Sequence, residues 1–330
     1  MHQVPLTVAV CDYDRVKPIF DRRVRIEGCD IVPLVIEAEE CFHRAFKFQE
    51  FDVCEMSMSS HMATVSRGEN QYVGIPAFVS RVFRHAGIYI RTDRGIDRPQ
   101  DLRGRKVGVP EYQITANVWM RGLLKDEYGV DPRDIQWRRG GIEEPGRGER
   151  SPISLPDNID LQQVPDDATL SDMLANGEID AMLSARAPSC FERGVANVGR
   201  LFPNFREVEQ DYYRRTGLFP IMHMIGIRKS LVEAHPWLPV SVFKAFLAAK
   251  EIAVRDLGEI AVLMTTLPWV VDHYNETRRL MGEDFWPYGY EKNLHALETF
   301  ARYHHDQHLS ARPVHAHELF APSTLDLSKT

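Results

Sequence analysis

The sequence predicts an α/β protein of two domains, and three observations carry that expectation. Its 330 residues exceed what a single hydrophobic core usually organises and suit two domains of ordinary size. Hydrophobic residues make up 44% and charged residues 26%, the balance of a folded globular chain and not of a disordered or collagen-like one. Short β-branched runs alternate with segments of helical apolar spacing, the pattern of strands joined by helices in a mostly parallel sheet.

The first strand is expected at residues 6–10, ending in the polar loop Asp12-Tyr13-Asp14-Arg15, and a second at 31–36. Residues 39–50 read as a helix with Phe42, Ala45, Phe46 and Phe48 on or near one face. Residues 51–56 read as a strand, and 57–60, Ser-Met-Ser-Ser, as the loop after it. Further strands are expected at 86–91, 106–109, 179–183 and 222–227. A helix is expected from Thr115, its possible N-cap, to about Tyr128, with Gln113 and Ile114 also plausible first-turn positions and Gly129 as its stop. Residues 138–156 are rich in Gly, Pro and charge and read as an exposed loop. Helices are expected at 170–175, 240–255, 258–264 and 293–308. In sheets of this kind ligands bind beyond the C-terminal ends of strands, which marks the loops 12–15 and 57–61.

Charge and composition exclude several classes. Lys and Arg number 40 and Asp and Glu 47, a net charge of −7, so nothing draws the chain to nucleic acid or an anionic membrane. The longest apolar run, near 261–271, is broken by Thr265, Thr266 and Pro268 and is too short to span a bilayer. No signal peptide is read at the N-terminus. Five cysteines, odd in number and never in C-x-x-C spacing, argue against disulfides or structural zinc and for a reducing cytoplasm. There is no G-x-G-x-x-G, no Walker A loop and no G-x-S-x-G. No heptad pattern or edge patch declares an oligomeric state, and a homo-oligomer is left open.

Four groups of residues could carry chemistry. The strand, tight loop and helix start around Tyr112, Gln113 and Thr115 are either a small-anion site or an ordinary strand–helix loop. Arg81, Arg84 and His85 precede a strand, and Arg186 follows one beside Ser184; arginine grips carboxylates with paired hydrogen bonds, although a solvated face is its commoner fate. His223 lies among apolar residues, either as a hydrogen-bonded core histidine or as a desolvated proton carrier. His304, His305, His308, His315 and His317 lack a metal motif and read as a solvated helix end.

Beyond these patterns, the sequence resembles the 4,5-dihydroxyphthalate decarboxylase family. The resembling stretches are F-V-S-R-V-F-R-H at 78–85, D-L-R-G-R-K-V-G-V-P-E-Y at 101–112, and residues 115–122. They continue with E-E-P-G-R at 143–147, F-P-I-M-H at 219–223, H-P-W at 235–237 and E-L-F-A-P at 318–322. D-L-x-G-x-x-V-G-V alone occurs throughout solute-binding proteins; G-V-P-E-Y with F-P-I-M-H is far more specific. One departure is His308 in Asp306-Gln307-His308-Leu309, where the resemblance calls for glycine.

The resemblance implies a type II periplasmic-binding-protein-like architecture: two α/β lobes, two crossing hinge strands and a ligand cleft between lobes. Lobe one would be 1–90 plus 222–330, and lobe two 91–221, with crossings at 88–91 and 222–228. It implies loss of CO2 from 4,5-dihydroxyphthalate to give protocatechuate. The enzyme would need a base near the phenol, an acid near the ipso carbon and a clamp for the retained carboxylate. His223 is then the preferred proton donor and His85 the second choice. Arg81 and Arg186 would clamp carboxylates with Thr115 assisting, and Asp14 or Tyr112 would orient or deprotonate the phenol. Asp12, Ser57, Ser60 and Ser184 complete the expected substrate contacts. No cofactor is expected; a divalent metal on the catechol oxygens is compatible but not required. A transporter's solute-binding protein, or another cytoplasmic enzyme on the same fold, is the alternative.

Overall fold

The computed structural model describes residues 3–327. The chain opens with β1 (Val4–Val10), α1 (Lys17–Phe20), β2 (Cys29–Val35), α2 (Ala38–Phe48), β3 (Val53–Ser57), α3 (Met58–Arg67) and β4 (Tyr72–Arg81). It continues with β5 (Ile88–Arg91), β6 (Lys106–Val109), α4 (Thr115–Tyr128), β7 (Gln136–Arg139), β8 (Leu161–Gln163), α5 (Leu170–Asn176), β9 (Ala181–Leu183), α6 (Ser189–Glu192), β10 (Val198–Arg200) and α7 (Phe205–Thr216). It ends with β11 (Ile221–Arg228), α8 (Lys229–Ala234), α9 (Leu238–Leu257), α10 (Val270–Met281) and α11 (Leu294–Asp306).

These elements form two units. One holds the residues up to Arg81, Ile221–Glu298, and the residues from Val314 on; the other holds Val82–Pro220 and Thr299–Pro313. The expected division placed residues 82–90 and 299–313 in lobe one, whereas here they fall in the second unit. Residues 88–91 and 222–228, expected as crossings, pair inside one sheet each, β5 with β9 and β10, β11 with β3 and β4.

The first unit is built on a five-stranded sheet in the order β2-β1-β3-β11-β4. β1 runs parallel to β2 and β3, and β11 antiparallel to β3 and β4. Of its three strand prolines, Pro5 lies in β1 ahead of that strand's pairing with β3, which begins at Val8, and Pro33 in β2 and Pro76 in β4 sit in the two edge strands, where a missing amide disturbs the ladder least. That proline, with no polar alternation around it, is why β4 was not legible in the sequence. The stretch 57–60 is not a loop: Ser57 closes β3 and caps α3, its hydroxyl accepting the Ser60 amide hydrogen at 3.4 Å. The expected helix at 258–264 is also absent. Gly258 ends α9, and the segment up to Trp269 is irregular, with β-branched residues and Pro268 opposing helix. The helices α7 and α10 were not expected.

Gly74 of β4 permits a close approach. A Cβ there would lie 2.4 Å from the Leu319 carbonyl oxygen. That carbonyl accepts from His61 Nε2 at 2.9 Å, while the His61 Nδ1 is buried without a partner. Burial lowers the His61 pKa to about 4. The unfolded chain therefore takes up a proton that the folded chain refuses, and stability is lost as pH falls from about 6.5 to 4. This histidine contributes about 3 kcal/mol to that loss. Urea unfolding at pH 7 and pH 5 should show a smaller difference for His61→Gln than for the parent; an equal difference would contradict the assignment.

The second unit carries a six-stranded sheet in the order β10-β5-β9-β6-β7-β8, with β9, β6, β7 and β8 parallel. The expected α4 is found, and its Trp119 packs on Phe300 and Tyr303 of α11. Gly122 admits the Tyr303 ring, which a Cβ would meet at 2.1 Å. The C-terminal histidines are not one solvated helix end, because His304 is fully buried and pairs with Ser310 Oγ at 2.6 Å.

α11 closes in a Schellman turn. The Leu309 amide donates to the His304 carbonyl, and His308 takes the left-handed conformation at φ 60°. This is the position where the resemblance called for glycine. His308→Gly should raise stability by about 0.5–1 kcal/mol, the relief of left-handed strain less the added freedom of the unfolded chain. A lower urea midpoint would reject that account.

Candidate active site

The first unit collects ionisable groups where the C-terminal ends of β1 and β3 meet the start of β11. In β11, His223 lies opposite Ser57 of β3 and Ser80 of β4. The β4 register slips on both sides of His223. Such irregularities re-aim a side chain away from the plain alternation of a strand. Glu55 is two residues before Ser57 on β3, so it is a diagonal neighbour of His223 on the same face. His223 Nδ1 lies 2.6 Å from Glu55 Oε1.

Glu55 is fully buried, yet its carboxylate is well satisfied. Besides His223, it accepts from the Tyr13 hydroxyl at 2.8 Å and the Cys11 amide at 3.1 Å. Burial pushes its pKa up, but the hydrogen bond and charge of His223, helped by Cys11 and Tyr13, outweigh that and hold it below the ordinary value. An ionised Glu55 accepts hydrogen bonds only, which assigns the proton on His223 to Nδ1 and leaves Nε2 for exchange. The Phe42 ring stands edge-on to the imidazole at 4.8 Å, and the His223 side chain is 20% exposed.

Burial first, then the nearby Glu55, raises the pKa of Tyr13 and of the Cys11 thiol. Both therefore stay protonated at neutral pH, Tyr13 as a hydrogen-bond donor and Cys11 as a poor nucleophile. Arg15 extends the group. Its guanidinium lies 4.2 Å from the Tyr13 ring and 4.4 Å from the Trp286 ring, and its Nε donates to the Val79 carbonyl at 2.7 Å. Trp286 donates in turn to the Phe78 carbonyl at 2.9 Å. Near these charges the Tyr288 hydroxyl is buried without a partner, and burial raises its pKa.

The sequence-derived residues fall into three groups. His223 stands at the centre of this cluster, as do the loop 12–15 and Ser57. Within that loop, Asp14 is half exposed and paired with Arg15 at 3.0 Å, and Asp12 is exposed with Lys17 at 3.9 Å. The carboxylate against the histidine is instead Glu55. Arg81 is buried, donating to the Pro287 carbonyl at 3.0 Å and to the Asn293 side chain, so two of its contacts are spent inside the unit. The Ser57 hydroxyl and the Ser60 backbone amide are committed to the α3 cap.

The remaining residues belong to the second unit. His85 is buried between Phe202 and Tyr212, 3.9 Å from Glu209, with neither ring nitrogen hydrogen-bonded. Burial lowers its pKa to about 4, so it is neutral at neutral pH. Tyr112 is a core residue, its ring under the Arg121 guanidinium at 3.7 Å. Thr115 opens α4 but does not cap it; the N-cap position is Ile114. The anion-type geometry before α4 is real and is filled from within. The Glu149 carboxylate takes the amides of Tyr112 and, at 3.4 Å, Gln113. Glu111 of G-V-P-E-Y is likewise buried and held by Arg147 of E-E-P-G-R at 2.6 Å and by Arg150 at 2.8 Å. The segment 138–156 is thus tied down at these points and is not simply an exposed loop. Ser184 is buried and accepts from the amide of Arg186, which is itself exposed.

Sequence reasoning missed Glu55, Trp286 and Tyr288. A carboxylate inside the run Val53-Cys54-Glu55-Met56, apolar on either side, was the available signal for the first. Among the described residues no cluster of three or more His, Cys, Asp or Glu side chains is placed to hold a metal ion, and no helix is long and apolar enough to cross a membrane.

Comparison with known proteins shows the family and the fold. No protein-family model matches the chain. A 4,5-dihydroxyphthalate decarboxylase of Comamonas testosteroni is 45% identical over 329 residues, covering 100% of both chains. A protein of the same name from Pseudomonas putida is 44% identical over 214 residues, 65% of this chain and 83% of its own. Among solved structures, a putative periplasmic sulfonate-binding protein of Methylobacillus flagellatus covers 98% of this chain and 92% of its own, with TM-score 0.54 and 12% identity. That likeness concerns the fold, which is the periplasmic-binding-protein fold the resemblance implied. With nearly half its residues shared over the full length of a relative, the chain belongs to the 4,5-dihydroxyphthalate decarboxylase family.

Proposed function

We propose that this chain decarboxylates 4,5-dihydroxyphthalate to protocatechuate, with His223 as the proton donor. Family membership supports the reaction, and the 2.6 Å contact between Glu55 and His223 supports the assignment. Direct loss of CO2 from an aromatic ring would leave an aryl carbanion. In this substrate each carboxylate lies para to a hydroxyl, which offers another route. Loss of the phenolic proton pushes electrons into the ring, and the ipso carbon takes a proton from His223 Nε2. The C–C bond to the carboxylate then breaks, its electron pair restores the aromatic ring as a phenoxide, CO2 leaves, and the phenolic proton, given up to solvent in the first step, returns to the oxygen. One proton has replaced one CO2, and the ring has served as its own electron sink.

Glu55 stabilises the imidazolium before transfer and fixes the tautomer after it. Arg15, stacked between Tyr13 and Trp286, is the cation offered beside the pair for the retained carboxylate. Five free cysteines, four of them buried, support a reducing, cytoplasmic setting.

The test mixes purified protein with 4,5-dihydroxyphthalate and follows CO2 and protocatechuate, with and without chelator. Stoichiometric formation of both is the expected result. Thermal stabilisation by the compound without turnover would instead indicate a binding protein. Turnover abolished by chelator and restored by a divalent ion would add a metal to the mechanism.

A further inference from the structure

The Tyr288 hydroxyl is buried in the first unit with no hydrogen-bond partner, yet charged groups act on it from several sides. Arg15 acts most strongly, followed by Arg81, Asp14 and Glu55. The chain around it belongs to the same cluster. Trp286, two residues earlier, lies against the Arg15 guanidinium at 4.4 Å, and the Pro287 carbonyl accepts from Arg81 at 3.0 Å. The nearby carboxylates take their hydrogen bonds elsewhere, Glu55 from His223, Tyr13 and the Cys11 amide, and Asp14 from Arg15. The backbone on both sides of Tyr288 is fixed. Asn293 Nδ2 donates to the Pro287 carbonyl at 3.0 Å, and the Gly289 amide donates to the Pro76 carbonyl at 2.8 Å. Lys250 Nζ stands 5.7 Å from the centre of the tyrosine ring. A buried hydroxyl with an unspent donor costs stability, and such a group calls for an explanation.

We propose that the Tyr288 hydroxyl donates a hydrogen bond to the carboxylate that the substrate retains, beside the Arg15 guanidinium, and so helps set specificity for that group. The inference rests on the decarboxylase reading above and adds a second donor to the seat that Arg15 begins. Two guanidiniums beside the hydroxyl favour an anionic acceptor over a neutral one. Burial raises the tyrosine pKa, so the group stays protonated and donates. The shape of the substrate selects the carboxylate and not a phenol. The retained carboxylate is ortho to the departing one, next to the carbon that His223 protonates, whereas both hydroxyls lie on the far edge of the ring. His223 is held against Glu55, and Glu55 and Arg15 both act on Tyr288, which puts the tyrosine on the carboxylate side. The Arg15 side chain is 17% exposed, so it meets the carboxylate first, and the buried hydroxyl takes the oxygen that reaches in behind it. A donor already ordered by folding loses little freedom on binding. The retained carboxylate is unchanged by the reaction, so this hydrogen bond holds ground state and transition state alike.

Tyr288→Phe removes the oxygen and keeps the ring, and the full-length parent and variant are compared with 4,5-dihydroxyphthalate by steady-state kinetics, calorimetry and thermal unfolding. KM and the calorimetric Kd should both rise about 10- to 100-fold, the usual loss for a hydrogen bond to a charged group. The product protocatechuate keeps the same carboxylate, so its inhibition constant should rise by a similar factor. The parental kcat should hold to within about 3-fold, because the lost contact is made equally before and during the reaction. Without ligand the variant should melt no lower than the parent, since the oxygen removed has no partner inside the protein. Unchanged KM and product inhibition overturn the proposal. So does a fall in kcat at constant KM, which would put the hydroxyl on the reacting centre, or a lower melting temperature, which would make it a bonded core group. A parent that binds 4,5-dihydroxyphthalate without turning it over overturns the decarboxylase reading alone. The calorimetric Kd then decides for Tyr288: a rise of about tenfold or more in the variant supports the contact, and an unchanged value overturns it. A parent that does not bind the compound overturns both.

Discussion

His223→Ala is expected to lower kcat for 4,5-dihydroxyphthalate about 10³-fold while changing substrate affinity little. A positioned acid or base is worth about 10²- to 10⁴-fold, and protonation of a ring carbon depends heavily on its donor. The alanine variant also strips Glu55 of its strongest partner. Cys11 and Tyr13 still donate to that carboxylate, but burial would then push its pKa up and put a protonated acid where the imidazole stood. His223→Asn separates the two effects. Its amide can donate from nearly the place of Nδ1, keeping Glu55 ionised, yet it has no proton to give. The asparagine variant should therefore fold as stably as the parent to within about 1 kcal/mol and still lack turnover. Substrate binding by calorimetry, thermal unfolding and single-turnover rates for both variants decide the matter. Parental turnover in His223→Asn would remove this histidine from the chemistry. Lost binding together with lost turnover would make it a substrate contact instead.

Much of the fold was legible because local signals agreed. α4 has Gly129 at its end and an apolar face, and its limits match those read from sequence. β6 and β11 are β-branched runs bounded by turn residues. The segment 258–264 deceived because its apolar spacing suits a helix, although those side chains are exposed. Apolar residues usually repeat in sequence because they pack, and a surface that packs on nothing within the chain defeats that inference. The site was half legible for a different reason. His223 stood out as a polar residue in an apolar strand, and loop 12–15 followed a strand end. Glu55 lies 168 residues away from His223, and only the register of β3 against β11 makes them neighbours. The arginines and histidine at 81–85 show the converse. Their clustering suggested one site, but Arg81 ends β4 with its guanidinium held inside the first unit, and His85 is packed among aromatic rings of the second. Adjacency in sequence implies little about shared chemistry when a unit boundary falls after residue 81.

Glu55→Gln should cost about 10²- to 10³-fold in kcat, with the overall fold retained. The substitution is nearly isosteric, so what changes is the pattern of donors and acceptors. Oε1 now accepts from both His223 and Tyr13, and Oε2 from the Cys11 amide. A glutamine has one oxygen. If that oxygen serves His223 and Tyr13, its NH2 faces the Cys11 amide, donor against donor, at a cost of about 1–3 kcal/mol. If it turns to Cys11, the NH2 faces His223, forces the ring proton from Nδ1 to Nε2, and leaves the wrong tautomer for uptake and release. In either arrangement the imidazolium loses the anion that stabilised it, as an amide in place of a triad carboxylate does. The acid limb of stability should change as well. The folded pKa of Glu55 lies below its unfolded value, so its ionised form stabilises the fold above about pH 4.5, and that contribution is lost as pH falls through the lower folded pKa. Glu55→Gln should be less stable than the parent at pH 7, and the difference should shrink toward pH 3. If instead the variant turned over at the parental rate, or its stability deficit were the same at both pH values, Glu55 would be no more than a buried polar residue, and the tautomer assigned to His223 would lose its support.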